Sequence, residues 1–191
     1  GIETQAHVDL AAVRLAEWVA EKPERRKLDA LVVACFSDPG VAALREAVKC
    51  PVLGIGEASY LTAAALTERF GVIAILERSI PRHRRAQRAL GVEHKVAGEL
   101  ALELAVSELQ NESITWKRLA AVGTELCKAH GAGTVILGCA GMARYRARLE
   151  DKLGVAVIDP TQAAVAIALG LVLPNRDALV LQARDKAYER P

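Results

Sequence analysis

The stretch Thr134-Val135-Ile136-Leu137-Gly138-Cys139-Ala140-Gly141-Met142 begins as a short β-branched apolar run and ends in small residues around a cysteine. A run of this kind predicts a strand buried on both faces, then a turn leading into a helix. The same plan occurs earlier, where Leu31-Val32-Val33-Ala34 precedes Cys35-Phe36-Ser37-Asp38-Pro39-Gly40 and another helical pattern. In parallel α/β folds, ligands bind outside the carboxyl ends of the strands. Two thiols delivered to such turns predict an acid/base pair facing each other across a cleft between two similar halves.

Working outward, Glu3–Glu21 carries apolar residues at helical spacing (Val8, Ala11, Ala12, Leu15, Ala16, Val19), and Pro23 with the charged run Glu24–Lys27 ends it. Leu28–Ala34 predicts a strand. Asp38 and Pro39 predict the cap and first turn of a helix reaching about Val48. Pro51–Ile55 reads as a strand, Ala58–Phe70 as a helix ended by Gly71, and Val72–Leu76 as another strand. A basic helix follows Pro81. Lys95–Gln110 stays unassigned, because helical propensity and position in the pattern disagree. Glu112–His130 is helical, Thr134–Leu137 strand, Ala143–Leu153 helix, Val155–Ile158 strand and Gln162–Leu173 an apolar helix closed by Pro174-Asn175. Strands alternating with helices through short Gly- and Pro-containing turns predict βαβ units and parallel sheets.

The 191 residues are 52% hydrophobic and 25% charged, which is the composition of a folded α/β chain rather than a disordered one. A net charge of +2 gives no footprint for nucleic acid or an acidic membrane. The opening residues do not form a secretory signal, and Val155–Leu173 is interrupted by Asp159, Pro160, Thr161 and Gln162, too short an apolar run to span a bilayer. A cytoplasmic protein is expected. The four cysteines (Cys35, Cys50, Cys127, Cys139) form no Cys-x-x-Cys pair and no zinc spacing, so no metal and no disulfide framework is expected.

Cys35 and Cys139 are the candidate catalytic pair, since a strand-end turn near a helix N-terminus favours thiolate. Cys50, before Pro51 at the start of a strand, and Cys127, within a helix, read as packing. The backbone N–H groups of Phe36, Ser37, Ala140 and Gly141 are candidate donors to an oxygen gaining negative charge. Ser37, Ser59 and Ser79 read either as ligand contacts or as caps and turn formers. Glu57 is either a first-turn acid or a partner of the site. Arg78, Arg82, His83, Arg84, Arg85 and Arg88 lack interleaved aromatics and read as a solvated helix face. No histidine is marked as a general base.

Two thiols flanking a small substrate can run a two-base proton transfer. One thiolate takes a proton from carbon, and the opposite thiol returns one to the other face. Thiol pKa values near 8.5 leave both protonation states accessible. The carbanion is held as an enolate, for which the turn amides suffice, so no cofactor is required.

At these residues the chain resembles the aspartate/glutamate/hydantoin racemase superfamily, most closely its hydantoin and allantoin racemase branch. The motifs that carry the resemblance are Ala34–Gly40, Val52-Leu53-Gly54-Ile55-Gly56-Glu57-Ala58, Arg78-Ser79-Ile80-Pro81 and Leu137–Met142, with Val157-Ile158-Asp159 before the final helix. The resemblance implies two pseudo-symmetric parallel-sheet α/β halves with the active site in the cleft between them. We expect the first half to comprise residues 1–70 with 160–191, and the second 71–159. It further implies cofactor-independent racemisation by Cys35 and Cys139, with Gly56, Glu57 and Ser79 joining Phe36, Ser37, Ala140 and Gly141 at the substrate. A homo-oligomer is implied as well. Similar proteins begin with a strand and an Asn-Pro-Asn-type turn, which the resemblance places ahead of Gly1.

Glutamate racemases resemble Gly-Cys-Thr-His at the second motif, whereas this chain has Gly-Cys-Ala-Gly, which favours a neutral cyclic ureide over a free amino acid. The reading is therefore a racemase at C5 of 5-monosubstituted hydantoins. Allantoin racemisation, an Asp/Glu-type amino-acid racemase and a maleate-type isomerase are the alternatives on the same scaffold. Arylmalonate decarboxylases resemble the fold but keep only the second cysteine. A non-catalytic thiol or ligand-binding module is the reading from another class.

Overall fold

The computed structural model describes residues 1–21, 24 and 28–173. In chain order the elements are α1 (Gln5–Glu21), β1 (Leu31–Val33), α2 (Val41–Ala47), β2 (Val52–Gly54), α3 (Ile55–Leu66), β3 (Phe70–Ala74), α4 (Ile80–Ala89), β4 (Val96–Ala101), α5 (Glu112–Lys128), β5 (Thr134–Leu137), α6 (Arg146–Leu153) and β6 (Ala156–Ile158). Residues 160–173 form a last helix, α7. Two sheets result, both parallel throughout: β1 pairs with β2, and a larger sheet runs in the order β4-β3-β5-β6. The α/β architecture with parallel sheets is the one the strand–helix alternation predicts.

Alternation of side chains along each strand explains how the layers pack. In the larger sheet Ile73, Val135, Leu137 and Val157 face α5 and α6, sharing a cluster with Leu119, Leu126 and Leu149. Their neighbours Phe70, Val72, Ile136 and Ile158 face the other way, against Tyr60 and Ala63 of α3 and Ala164 and Ala168 of α7. The small sheet divides similarly. Leu53 joins the α3 cluster, while Val33 and Val52 pack with Val19 of α1 and Leu44 of α2. Helix α3 and its apolar surround therefore lie between the two sheets and tie them together. No helix among the described residues is long and apolar enough to cross a membrane.

Two expectations are corrected, and one open stretch is assigned. Helix α3 begins at Ile55 and ends at Leu66, so Phe70 and Gly71 belong to β3 rather than to a helix. Phe70 is fully buried beside Tyr60, with ring centroids 6.2 Å apart, and tertiary burial overrides the helical spacing that links it to Ala58–Leu66. The unassigned stretch resolves into β4 and a 3₁₀ turn over Val106–Gln110. Asp38 does not cap α2, which starts from Gly40 at φ 71° with no side-chain cap. The closure at Pro174-Asn175 lies outside the described residues.

Candidate active site

Both cysteines lie where the strands end. Cys35 follows β1 after one residue, and Cys139 follows β5 after Gly138. Although they leave different sheets, they line one cavity of about 290 Å³. Phe36, Ser37, Ser79, Ala140 and Gly141 also line it, as do Arg82 and His83. The walls are otherwise apolar (Ile2, Ala34, Ile75, Val106), and no carboxylate is among the lining residues. A small, apolar pocket with a few converging polar groups is the usual form of a small-molecule site.

The Cys139 turn holds itself in place. Extended backbone at Cys139 caps the following 3₁₀ turn (Ala140–Tyr145), and its sulfur accepts the Gly141 N–H at 3.4 Å. Gly138 is needed here because its N–H donates to the Ile73 carbonyl at 2.9 Å. A Cβ at that position would sit 2.6 Å from the same oxygen. Burial pushes the Cys139 thiol above its ordinary 9.0, and the Gly141 amide offsets part of that.

The Cys35 turn is held from a distance. Asp38, in the left-handed region at φ 48°, closes a turn with its N–H on the Cys35 carbonyl at 2.9 Å. Its carboxylate reaches across to the N-terminus of α3, accepting the Gly56 N–H at 2.8 Å and the Glu57 N–H at 2.7 Å. These are first-turn amides that the helix itself leaves unpaired. Gly56 is required for the approach, since a Cβ there would lie 2.3 Å from the Phe36 carbonyl oxygen and 2.8 Å from Asp38 Oδ2. Burial pushes the Asp38 carboxyl up to about 7, against the lowering effect of the two amides. Cys35 is also pushed above 9.0, chiefly by burial, so the expectation that its position favours thiolate is corrected: desolvation outweighs the turn amide. The Ser37 amide lowers it, negative charge on Asp38 and on Cys139 raises it, and the Arg82 cation lowers it. Cys35 therefore senses the charge on Cys139.

Not every expected site residue comes to the cavity. Gly56 and Glu57 lie outside its lining, at the Asp38 latch, where the Glu57 carboxylate accepts the Gly54 N–H at 3.2 Å and pairs with Arg45. Ser59 is fully buried and donates to the Gly56 carbonyl at 2.8 Å, as a helix hydroxyl does. Ser79 reaches the cavity wall while donating to the Leu76 carbonyl at 2.6 Å. Cys50 and Cys127 pack beside hydrophobic clusters away from the cavity.

Two residues read as a solvated face line the cavity instead. The basic helix divides: Arg78 pairs with Glu3, Arg88 with Glu93, and Arg85 donates to Gln5, while Arg82 and His83 turn to the cavity. His83 is only 4% exposed, and its Nδ1 is hydrogen-bonded to the buried Glu99. The signal was the spacing of Ile80, His83 and Gln87, the buried face of α4. Among the described residues no cluster of His, Cys, Asp and Glu has the makings of a metal site.

A family model described as Asp/Glu/Hydantoin racemase matches residues 1–168. The chain belongs to the Asp/Glu/hydantoin racemase family. Within this racemase family it is 39% identical over 150 residues to a hydantoin racemase of Rhizobium meliloti, covering 78% of this chain. It spans only 62% of the length of that relative. It is 33% identical over 184 residues to the hydantoin racemase of Paenarthrobacter aurescens, covering 95% of this chain and 76% of the relative. The structure of an allantoin racemase from Klebsiella pneumoniae superposes with a TM-score of 0.86 at 32% identity, over 92% of this chain and 71% of the other.

Proposed function

We propose that the protein is a cofactor-independent racemase inverting C5 of 5-substituted hydantoins, with Cys35 and Cys139 as its two bases. One observation carries this reading: two cysteines from the carboxyl ends of strands in separate sheets line a single carboxylate-free cavity. Likeness to hydantoin racemases and to an allantoin racemase points to the same ring, since allantoin is a hydantoin bearing a ureido group at C5. The division into halves at about residues 70 and 159 belongs to the proposal, each half contributing one cysteine.

In the forward step a thiolate removes the C5 proton, and the electron pair passes to the C4 carbonyl oxygen as an enolate. The opposite thiol delivers its proton to the other face, so thiol and thiolate exchange places. Neutral turn amides and a cation are suited to the developing oxyanion, and the absence of carboxylates among the lining residues avoids opposing it. Negative charge on Cys139 makes Cys35 harder to ionise, which favours the singly ionised pair that the step needs over the doubly ionised one. A homo-oligomer is part of the same reading, supported by the exposed Val165, Leu169 and Leu173 spaced by four on α7.

The test is loss of optical rotation with 5-benzylhydantoin, allantoin, aspartate and glutamate as separate substrates. Racemisation of a hydantoin-ring substrate is expected. Activity confined to the free amino acids would overturn the assignment.

A further inference from the structure

Two consecutive residues of α4 line the cavity, and each has hydrogen-bonding capacity that the described residues leave unused. Arg82 places one N–H of each terminal nitrogen on the carbonyl oxygens of Arg78 and Glu3, each at 3.3 Å, which leaves a second N–H on each, while its Nε is buried without a partner. Among the described residues no carboxylate pairs with Arg82, because the Glu3 carboxylate goes to Arg78. A cation with no paired carboxylate beside a largely apolar cavity is costly unless a ligand supplies acceptors.

His83 is held on three sides. Its ring meets Phe36 edge-on, with centroids 5.0 Å apart at 78°, and its Nδ1 faces Glu99 Oε1. Glu99 Oε2 accepts from Gln87 Nε2 at 3.0 Å. A carboxylate that accepts on both oxygens places the imidazole proton on Nδ1. In that tautomer Nε2 is the acceptor. No hydrogen bond within the described residues uses that nitrogen, and His83 lines the cavity.

A donor and an acceptor therefore sit side by side on one wall. The edge of a cyclic ureide offers the complement, a carbonyl acceptor next to an N–H donor. A free amino-acid carboxylate offers two acceptors and leaves His83 unmatched. We propose that Arg82 and His83 read the C4=O/N3–H edge of the hydantoin ring. A terminal N–H of the Arg82 guanidinium donates to the C4 oxygen, His83 Nε2 accepts from N3–H, and Glu99 is the positioning residue that holds the tautomer. This rests on the racemase reading above and names how that site selects its substrate. The two contacts differ in kind. The C4 oxygen gains charge as the C5 proton leaves, so the Arg82 bond strengthens in the transition state and acts on kcat. The N3–H contact is similar before and during the reaction, and acts on KM.

The test compares racemisation of 5-benzylhydantoin and its N3-methyl derivative by the wild-type chain, Arg82→Gln, His83→Ala and Glu99→Gln. Wild type is expected to disfavour the methylated ring by about 100-fold or more in kcat/KM, as a site built to pair a donor rejects the analogue lacking it. In His83→Ala the preference is expected to shrink to about threefold, since the methyl finds both space and no unpaired acceptor. Glu99→Gln supplies an amide donor to Nδ1, moving the ring proton to Nε2, and is expected to lose the preference while the imidazole remains. Arg82→Gln is expected to lower kcat about 100-fold on both substrates with the preference intact. Equal use of the two rings by wild type would overturn the proposal without recourse to any variant. So would an undiminished preference in folded His83→Ala or Glu99→Gln, or an unchanged kcat in Arg82→Gln. Failure of wild type on the unmethylated ring would instead overturn the racemase reading, and this proposal with it.

Discussion

The two cysteine turns look alike in sequence and are built differently. After β5, the Cys139 turn supports itself: its sulfur takes the Gly141 amide, and Gly138 lets the chain lie against the Ile73 carbonyl. After β1, the Cys35 turn depends on Asp38 reaching to the amides of Gly56 and Glu57, eighteen and nineteen positions away. The contrast separates chemistry from support. Two similarly placed thiols can be held by a local cap on one side of a cavity and by a tertiary latch on the other. Damage to the latch should then fall on Cys35 alone, whereas the local cap should tolerate small changes.

The largest effect expected is loss of both bases' shared function. Cys35→Ser and Cys139→Ser should each lower racemisation by about 10³-fold or more, within the range for removing a positioned acid or base. Equal retention of activity in either variant would break the symmetry that the comparison assumes.

A pH dependence belonging to the latch comes next. Asp38 rises from 3.8 to about 7 on folding, so the folded chain holds this proton more tightly than the unfolded chain. Its contribution to stability is therefore full below the unfolded value and is lost as pH rises through about 7. The whole swing is on the order of 4 kcal/mol. Urea denaturation between pH 4 and 8 should show this decline in wild type and not in Asp38→Asn. The Cys139 side contains no comparable carboxylate, so parallel curves for the two proteins would contradict the latch.

Glycine substitutions sharpen the same contrast. Gly56→Ala places a Cβ 2.3 Å from a backbone oxygen, and a loss of about 2–3 kcal/mol is expected, as for overpacking. Gly141→Ala meets Leu109 Cδ1 at 3.2 Å, a side-chain end that can yield, and should cost under about 1 kcal/mol. Chemical denaturation of the two variants checks the order. The smallest effect is on the pH–rate profile: with both thiols pushed above 9.0 by burial, kcat/KM should still be rising at pH 9. A plateau by pH 7 would show thiols ionised more easily than their surroundings allow.

Much of this was legible in the chain itself, for physical reasons. Leu31–Val33 and Thr134–Leu137 are short apolar runs with β-branched residues, the pattern of an inner parallel strand, and the second is buried at every position while the first is half-buried at two of three. A cysteine after each then lands at the carboxyl edge. What stayed hidden is long-range. Asp38 next to Pro39 has the local chemistry of a helix cap, and nothing local shows that its carboxylate serves α3 instead of α2. Phe70 continues a helical pattern that only burial against Tyr60 breaks. Residues 96–101 form an edge strand with every position half-buried, so the strand left no alternation to read. Arg82 and His83 were masked by four exposed arginines around them, although Ile80, His83 and Gln87 carried the buried-face spacing.

The measurement that bears most directly on the central claim is solvent-deuterium exchange at C5 of each separate enantiomer of 5-benzylhydantoin in D2O, followed by NMR for wild type, Cys35→Ser and Cys139→Ser. Two bases on opposite faces predict exchange of both enantiomers by wild type. They also predict that each variant loses racemisation and keeps exchange with only one enantiomer, the opposite one in each case. Variants that exchange both enantiomers alike, or that lose the same one, would contradict a base on each side of the cavity.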